Sequence, residues 1–129
     1  MDMIALLLLS TTFGGMVLFS FGFAVLMFKL FDKAEARRAI RGSFPYYYLA
    51  MIVLSALCGA VLIAVNWQAA VVLGAVAVTT LYARQSLMHR INAATDAGQT
   101  SAFKRLHGVS VVLQLAQIAA VGWAIVVVA

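Results

Sequence analysis

Residues 42–83 read GSFPYYYLAMIVLSALCGAVLIAVNWQAAVVLGAVAVTTLYA and contain no Asp, Glu, Lys or Arg over 42 consecutive positions. A membrane-spanning helix needs about 20 mainly apolar residues, because about 30 Å of hydrocarbon is crossed at about 1.5 Å per residue. The stretch is twice that length, so it must cross the membrane and return. Residues 66–68, Asn-Trp-Gln, supply the turn, since two amides flank an indole suited to the headgroup region. We therefore predict spans over residues 44–65 and 68–87.

Two further charge-free stretches, residues 3–28 and 106–129, are each long enough for one more crossing. The first lacks the basic segment of a signal peptide and exceeds its apolar core in length, so we interpret it as a retained helix. Strands that cross a bilayer would alternate in character, whereas these runs are continuous. The sequence predicts an all-α protein, a four-helix transmembrane bundle of antiparallel up-down topology. It forms one integral membrane domain over residues 1–129, whose first and last spans cover residues 4–28 and 106–128.

The composition excludes a typical water-soluble globule. Of the 129 residues, 65% are hydrophobic and 10% are charged, and the mean hydropathy is +1.05. An ordinary soluble domain is about 45–50% apolar and about 25% charged. The net charge of +5 therefore does not indicate a nucleic-acid-binding domain, because too little polar surface is available. The single cysteine, Cys58, excludes an internal disulfide and does not indicate a redox compartment.

The nine basic residues flank two of the three predicted loops. They are Lys29, Lys33, Arg37, Arg38 and Arg41 in the segment 29–43, and Arg84, Arg90, Lys104 and Arg105 in the segment 84–105. Short loops rich in Lys and Arg stay in the cytoplasm, so we predict a bacterial inner-membrane protein with both loops inside and both termini outside. Such loops also attract anionic lipid, by about 1 kcal/mol per basic residue near the surface.

The start of span 2 is predicted from its turn chemistry. Gly42 should end a short helix in the first basic segment, and Ser43 to Pro45 resemble a new helix start, because Pro is tolerated in the first turn. Arg84 lies in the last turns of span 3, from which its long side chain can reach the cytoplasmic surface.

Small residues are concentrated on spans 1 and 2, where they permit close helix packing. They are Ser10, Thr11, Thr12, Gly14, Gly15, Ser20 and Gly22 on span 1, and Ser55, Ala56, Gly59 and Ala60 on span 2. These faces exceed what four helices need to pack with one another. We therefore expect association with other membrane subunits.

Spans 3 and 4 each carry a polar stripe with the spacing i, i+3, i+7, i+10. The stripes are Thr79, Tyr82, Ser86 and His89 on span 3, and His107, Ser110, Gln114 and Gln117 on span 4. At about 100° per residue, such a spacing keeps each stripe on one helix face. Because the two helices are antiparallel, His89 should lie level with His107, Ser86 with Ser110, Tyr82 with Gln114, and Thr79 with Gln117.

Two interpretations of the facing stripes remain open. One is interhelical hydrogen bonding, worth about 0.6 kcal/mol per contact. The other is a site at the cytoplasmic end in which His89 and His107 bind haem or copper.

The segment RINAATDAGQTSAFKRLHGVSVVLQ, residues 90–114, resembles the second half of the bacterial domain of unknown function DUF4149, the group related to transmembrane protein 205. The similarity rests on a basic residue and Asn after span 3, then a Phe, and Leu-His followed by Ser in span 4. These residues are Arg90, Asn92, Phe103, Leu106, His107 and Ser110. The first half is similar through Gly15, Phe19, Phe44, Pro45 and Tyr46. Gln114 departs from the family pattern, which favours Asn.

The resemblance implies a small four-helix integral membrane protein with no established enzymatic activity. The eukaryotic relatives are associated with tolerance to platinum drugs, which implies transport or trafficking. A more remote likeness extends to the CopD-type copper proteins and the HemJ-type haem-biosynthesis proteins. The residues that would carry this likeness are His89 and His107.

Three functions therefore remain open. The first is a noncatalytic accessory or assembly subunit of a larger membrane complex, favoured because no nucleophile with a base, paired carboxylates or glycine-rich phosphate loop is present. The second is haem or copper handling by His89 and His107, with Tyr82, Ser86, Ser110 and Gln114 lining the cavity. The third is a small-molecule transporter that uses the same polar stripe, completed by Thr79 and Gln117. The predicted partners are the lipid bilayer and membrane subunits, not nucleic acid.

Overall fold

Four long helices form the protein in the computed structural model, which describes residues 2–129. They are α1 (Met3–Leu30), α2 (Lys33–Leu62), α3 (Trp67–Asp96) and α4 (Thr100–Val128). Each helix is long and apolar enough to cross a membrane. The predicted all-α fold with four spans is therefore confirmed.

Three of the helices begin at a side chain that accepts a hydrogen bond from the first turn. Asp2 accepts from the Ala5 N–H at 2.9 Å, Asp32 from Glu35 at 2.8 Å, and Asn66 from Ala69 at 3.1 Å. Each bond satisfies one backbone donor that has no partner inside the helix. Between α3 and α4, Gly98 has φ +68°, a left-handed conformation that glycine adopts without steric cost.

The start predicted for span 2 is wrong. The helix α2 begins at Lys33 and continues unbroken through Gly42 and Pro45. Asp32 and Glu35 stand at the spacing of a capping box, and this is the helix start. The Ser43 hydroxyl donates to the Ala39 carbonyl at 2.7 Å, so it bonds within the helix and does not cap a new one.

The two basic segments are helical over most of their length. The α1–α2 turn occupies only residues 31–32 and the α3–α4 turn residues 97–99, whereas loops were predicted over residues 29–43 and 84–105. A 30-residue helix such as α2 is about 45 Å long, against about 30 Å of hydrocarbon. The charged ends of the helices therefore extend past their apolar stretches. We call this end of the bundle, which contains both turns and all nine Lys and Arg, the basic end.

The helices pack in a ring. The main partners of α1 are α2 and α4, and those of α3 are likewise α2 and α4. The largest fully buried apolar side chains are Leu9, Met16, Leu62, Leu73, Leu87 and Val121. The backbones of α2 and α3 approach closely at Gly59, where an added Cβ would lie 3.6 Å from the Ala70 carbonyl oxygen.

The helix α1 changes its packing halfway along its length. Its first part, Met3–Val17, contacts both α2 and α4, whereas Ala24–Leu30 packs mainly against α2. A π-helical segment, Leu18–Phe23, joins the two parts. At the basic end, α1 and α4 therefore separate and leave a groove between them. A second π-helical segment, Ala83–Leu87, interrupts α3.

Candidate functional site: a groove at the basic end

A groove of about 870 Å³ opens at the basic end of the bundle. Its lining comes from all four helices and from the α3–α4 turn. Its volume lies within the range of about 300–1,000 Å³ that is usual for small-molecule sites. Along its edge lie the half-exposed side chains of Phe21 on α1 and Val111 and Leu115 on α4. Because these residues face outward, the groove is open toward the surrounding lipid.

The inner wall of the groove is aromatic. The ring of Phe19 stacks on Tyr47 with centroids 3.9 Å apart and on Phe23 at 5.2 Å, and meets Phe44 edge-on at 5.1 Å. Phe19, Phe23 and Phe44 all line the groove. Stacked and edge-on pairs of this kind hold aromatic rings in fixed positions. The wall therefore offers a rigid apolar surface.

Gln114 forms a polar floor together with two other helices. Its amide nitrogen donates to the Ser20 hydroxyl on α1 at 2.9 Å and also to the Tyr47 hydroxyl on α2. Ser110, one turn before Gln114, lies beside Tyr48 in the lining. Gln114 therefore joins α4 to both α1 and α2 where these helices begin to separate.

Three arginines of α2 stand at the mouth of the groove: Arg37, Arg38 and Arg41. Arg41 donates two hydrogen bonds to Asp96, at 2.7 and 2.9 Å. Both residues lie beyond the apolar stretches, and the hydrogen bonds from Arg41 hold the pKa of the Asp96 carboxyl below its usual value. Within residues 2–129, Arg37 and Arg38 form no ion pair. Two of the three guanidinium groups therefore remain available to an anion.

Gln117 connects the two predicted polar stripes. Its amide nitrogen donates to the Thr79 hydroxyl at 2.8 Å and to the Thr80 hydroxyl at 3.1 Å. The structure thus brings Thr79 and Gln117 together at the predicted level. Both threonines donate in turn to carbonyls of their own helix, so this contact stabilises the α3–α4 interface and contributes nothing to the groove.

Elsewhere the stripes do not meet as predicted. Tyr82 is 46% exposed and does not bond to Gln114, whose partners are Ser20 and Tyr47. Ser86 lies in the π-helical segment and is partly buried, outside the groove lining. A π-helical turn contains more residues than an α-helical turn, so the spacing i, i+3, i+7, i+10 no longer keeps the stripe on one face.

The two histidines have different surroundings. His107 lines the groove and its ring stacks on Phe103 at 5.4 Å. Both side chains are exposed, but His89, on α3, is not part of the lining. In the described part of the chain, no three His, Cys, Asp or Glu side chains are grouped as metal ligands. Haem or copper binding by His89 and His107 stays a prediction.

Arg84 binds the backbone of the neighbouring helix. Its Nε donates to the Pro45 carbonyl at 3.1 Å, which joins the π-helical segment of α3 to α2. Cys58 is also engaged away from the groove, because its sulfur lies 3.5 Å from the Thr12 hydroxyl between α1 and α2.

Four apolar helices joined by short turns define a small polytopic integral membrane protein. The chain belongs to the family described as Domain of unknown function (DUF4149), which matches residues 7–100. The matched region contains nearly all of α1, all of α2 and α3, and the three arginines at the mouth, whereas His107 and Gln114 on α4 lie beyond it. No curated protein and no solved structure matches the chain.

Proposed function

We propose that this protein is a noncatalytic integral membrane protein that binds an amphipathic molecule in the groove. The observation that carries the proposal is the combination of an aromatic wall, a polar floor and an arginine mouth in one cavity that is open to lipid. Because an alkyl chain that enters from the bilayer leaves hydrocarbon and not water, its contact with the aromatic wall contributes van der Waals packing and no hydrophobic transfer energy. The arrangement therefore suits a molecule with an apolar chain and a polar head.

The polar lining favours binding over catalysis. It supplies amide, hydroxyl, imidazole and guanidinium groups, and no carboxylate is found among its residues within 2–129. Ser110 follows His107 by one turn, but no hydrogen bond joins the two side chains in the described chain. A serine without a bonded base is a weak nucleophile.

Native mass spectrometry in a nonionic detergent tests the proposal. The purified protein should retain one lipid, and Ala24→Trp, which fills the groove, should lose it. Ser110→Phe fills the groove from the opposite side and provides a second test. Ala60→Trp is the matched control, because Ala60 is exposed on α2 outside the groove. Retention of the lipid by both filled variants would contradict the proposal.

A second candidate function is that of an accessory or assembly subunit. A face of α1 presents Ser10, Thr11 and Gly14 outward, between the exposed side chains of Leu7 and Leu18. A Cβ added at Gly14 would meet no atom within 4 Å. Small side chains allow a second helix to approach closely, since lipid supplies no hydrophobic driving force between helices.

Photo-crosslinking in native membranes tests the accessory function. A photoreactive residue at Thr11 should give a discrete adduct with another membrane protein. The control is Val71, which is 62% exposed on α3. Equal labelling from both positions, or none from Thr11, would exclude association through this face.

We further infer that the basic end faces the cytoplasm of a bacterial inner membrane and that both chain termini lie outside. The support is the distribution of charge: all nine Lys and Arg belong to the basic end. Basic residues near short loops resist export across the membrane.

A further inference from the structure

We propose that the ligand of the groove is a net-anionic phospholipid from the leaflet at the basic end. Arg37 and Arg38 would hold the phosphate, and an acyl chain would lie between α1 and α4. The inference rests on the proposed function, which requires only that some amphipathic molecule binds there.

The charge at the mouth selects the headgroup. Arg41 is occupied by Asp96 through two hydrogen bonds, whereas Arg37 and Arg38 line the groove without a carboxylate within 4 Å in the described chain. Glu35 lies beside Arg38 at a neighbouring shallow pocket but forms no ion pair with it. The basic end as a whole has nine basic residues and three acidic ones, Asp32, Glu35 and Asp96. A negatively charged headgroup is therefore attracted to the mouth of the groove, and a zwitterionic headgroup gains less binding free energy there.

The donors at the mouth suit a phosphate. A guanidinium presents parallel N–H groups that match two phosphate oxygens. Arg37 and Arg38 are both exposed, so their side chains can turn toward a headgroup at the interface. Long basic side chains of this kind keep their charge in water while their stems cover apolar surface.

The order of polarity along α2 matches a lipid. From Arg41 to Tyr48 the helix rises about 10 Å, and over this distance the lining changes from guanidinium groups to aromatic rings. A phospholipid inserted from the same leaflet places its phosphate at the interface and its chains below it in the same order. The polar floor at Gln114 ends the groove, so the bound chain would lie partly against Phe21 and Leu115 and extend into the bilayer.

A water-soluble phosphate ester fits less well. It would use only the arginines and leave the aromatic wall without a partner, although most of the lining surface is apolar. The continuity of that edge with the bilayer favours a ligand that enters sideways from the membrane.

Competition between two lipids with the same acyl chains tests the inference. Full-length protein in nonionic detergent is mixed with equal amounts of dioleoyl phosphatidylglycerol and dioleoyl phosphatidylcholine, and the bound lipids are measured by native mass spectrometry. The wild-type protein should prefer phosphatidylglycerol. The double variant Arg37→Gln with Arg38→Gln should reduce this preference, by about fivefold for each arginine removed.

A matched control separates the groove from general surface charge. Lys104→Gln with Arg105→Gln removes the same charge from the same end of the bundle, at positions outside the groove lining. This double variant should keep the wild-type preference. All of these side chains are exposed, and an unchanged circular dichroism spectrum verifies the fold.

The outcomes distinguish the two proposals. If Ala24→Trp loses lipid binding but the wild-type protein shows no preference for phosphatidylglycerol, the inference of an anionic ligand is overturned. The proposed function would still hold in that case. An equal loss of preference in both double variants would also overturn the inference. Displacement of the lipid by millimolar inorganic phosphate alone would identify a headgroup site without a chain. Lipid binding that is absent, or that persists in the filled variants, would remove the proposed function itself.

Discussion

The contact between Gln114 and Tyr47 allows a quantitative test of how the groove is held together. Gln114→Leu keeps roughly the side-chain volume but removes both hydrogen bonds that join α4 to α1 and α2. Interhelical hydrogen bonds in membrane proteins average about 0.6 kcal/mol and reach about 1.7 kcal/mol. The loss of two bonds should therefore reduce the free energy of unfolding by about 1–2 kcal/mol.

The two partners of Gln114 should respond differently to this substitution. A serine hydroxyl in a helix can turn to a carbonyl of the preceding turn, so Ser20 can recover a partner. Tyr47 is only 8% exposed and cannot turn to its own backbone, so its hydroxyl keeps only the contact with the neighbouring Ser20 hydroxyl. Tyr47→Phe retains the ring that stacks on Phe19 and removes the hydroxyl. The double variant should therefore be more stable than the sum of the single effects predicts, by about 0.6 kcal/mol.

Unfolding in mixed micelles, followed by circular dichroism, provides the measurement. The control is a second double-mutant cycle, which combines Tyr47→Phe with Gln117→Leu. Gln117 shares no hydrogen-bond partner with Tyr47. The effects in this second cycle should be additive within about 0.3–0.5 kcal/mol. If the cycle with Gln114 is just as additive, the hydrogen bond contributes no coupling and the reasoning fails.

Four further predictions concern other parts of the molecule. Because Arg41 lowers the pKa of Asp96 in the folded state, the stability that this ion pair contributes should be present at neutral pH and lost as the pH falls through that pKa. The melting temperatures of the wild type and of Asp96→Asn should therefore converge in acid. A difference in melting temperature that stays constant with pH would contradict this prediction. Gly59→Leu should destabilise the protein by about 1–3 kcal/mol, since its Cβ already meets the α3 backbone. Gly14→Leu, with open space around it, should leave unfolding unchanged, and equal effects would argue against close packing at Gly59. A reporter fused after Ala129 should be active outside and one placed in residues 96–101 inside; the reverse result would invert the orientation. If haem binds as predicted from His89 and His107, the purified protein should show a Soret band that His107→Ala abolishes, and an unchanged spectrum in that variant would end the haem hypothesis.

The features that could be predicted from the sequence depend on the transfer of apolar side chains into lipid and on the capping of helix ends by nearby side chains. Charge-free tracts predicted four crossings. The turn predicted at residues 66–68 lies instead at residues 63–66, because the Asn66 side chain caps α3 and Trp67 and Gln68 already belong to that helix. The level of Thr79 with Gln117 followed from antiparallel geometry alone. The start of α2 was predictable as well, because Asp32 is a preferred N-cap residue and Glu35 follows at the spacing of a capping box, but Gly42 and Pro45 suggested a break that the helix tolerates.

The groove itself could not be predicted from the sequence. It arises because α1 separates from α4 after the π-helical segment Leu18–Phe23. The hydrophobic periodicity of the sequence does not predict such a segment. The partners of Gln114 were missed for a related reason. Ser20 and Tyr47 lie on α1 and α2, whereas the sequence pattern predicted facing polar stripes only on spans 3 and 4.

The placement of the turns has a consequence for biogenesis. The two halves of the chain, α1 with α2 and α3 with α4, are helical hairpins joined at the end away from the arginines by residues 63–66, Ile-Ala-Val-Asn. This connection has no ionisable side chain, so in the proposed orientation no charge crosses the hydrocarbon when it is translocated. The helices α2 and α3, which pack extensively on each other, can therefore cross the bilayer together as one hairpin.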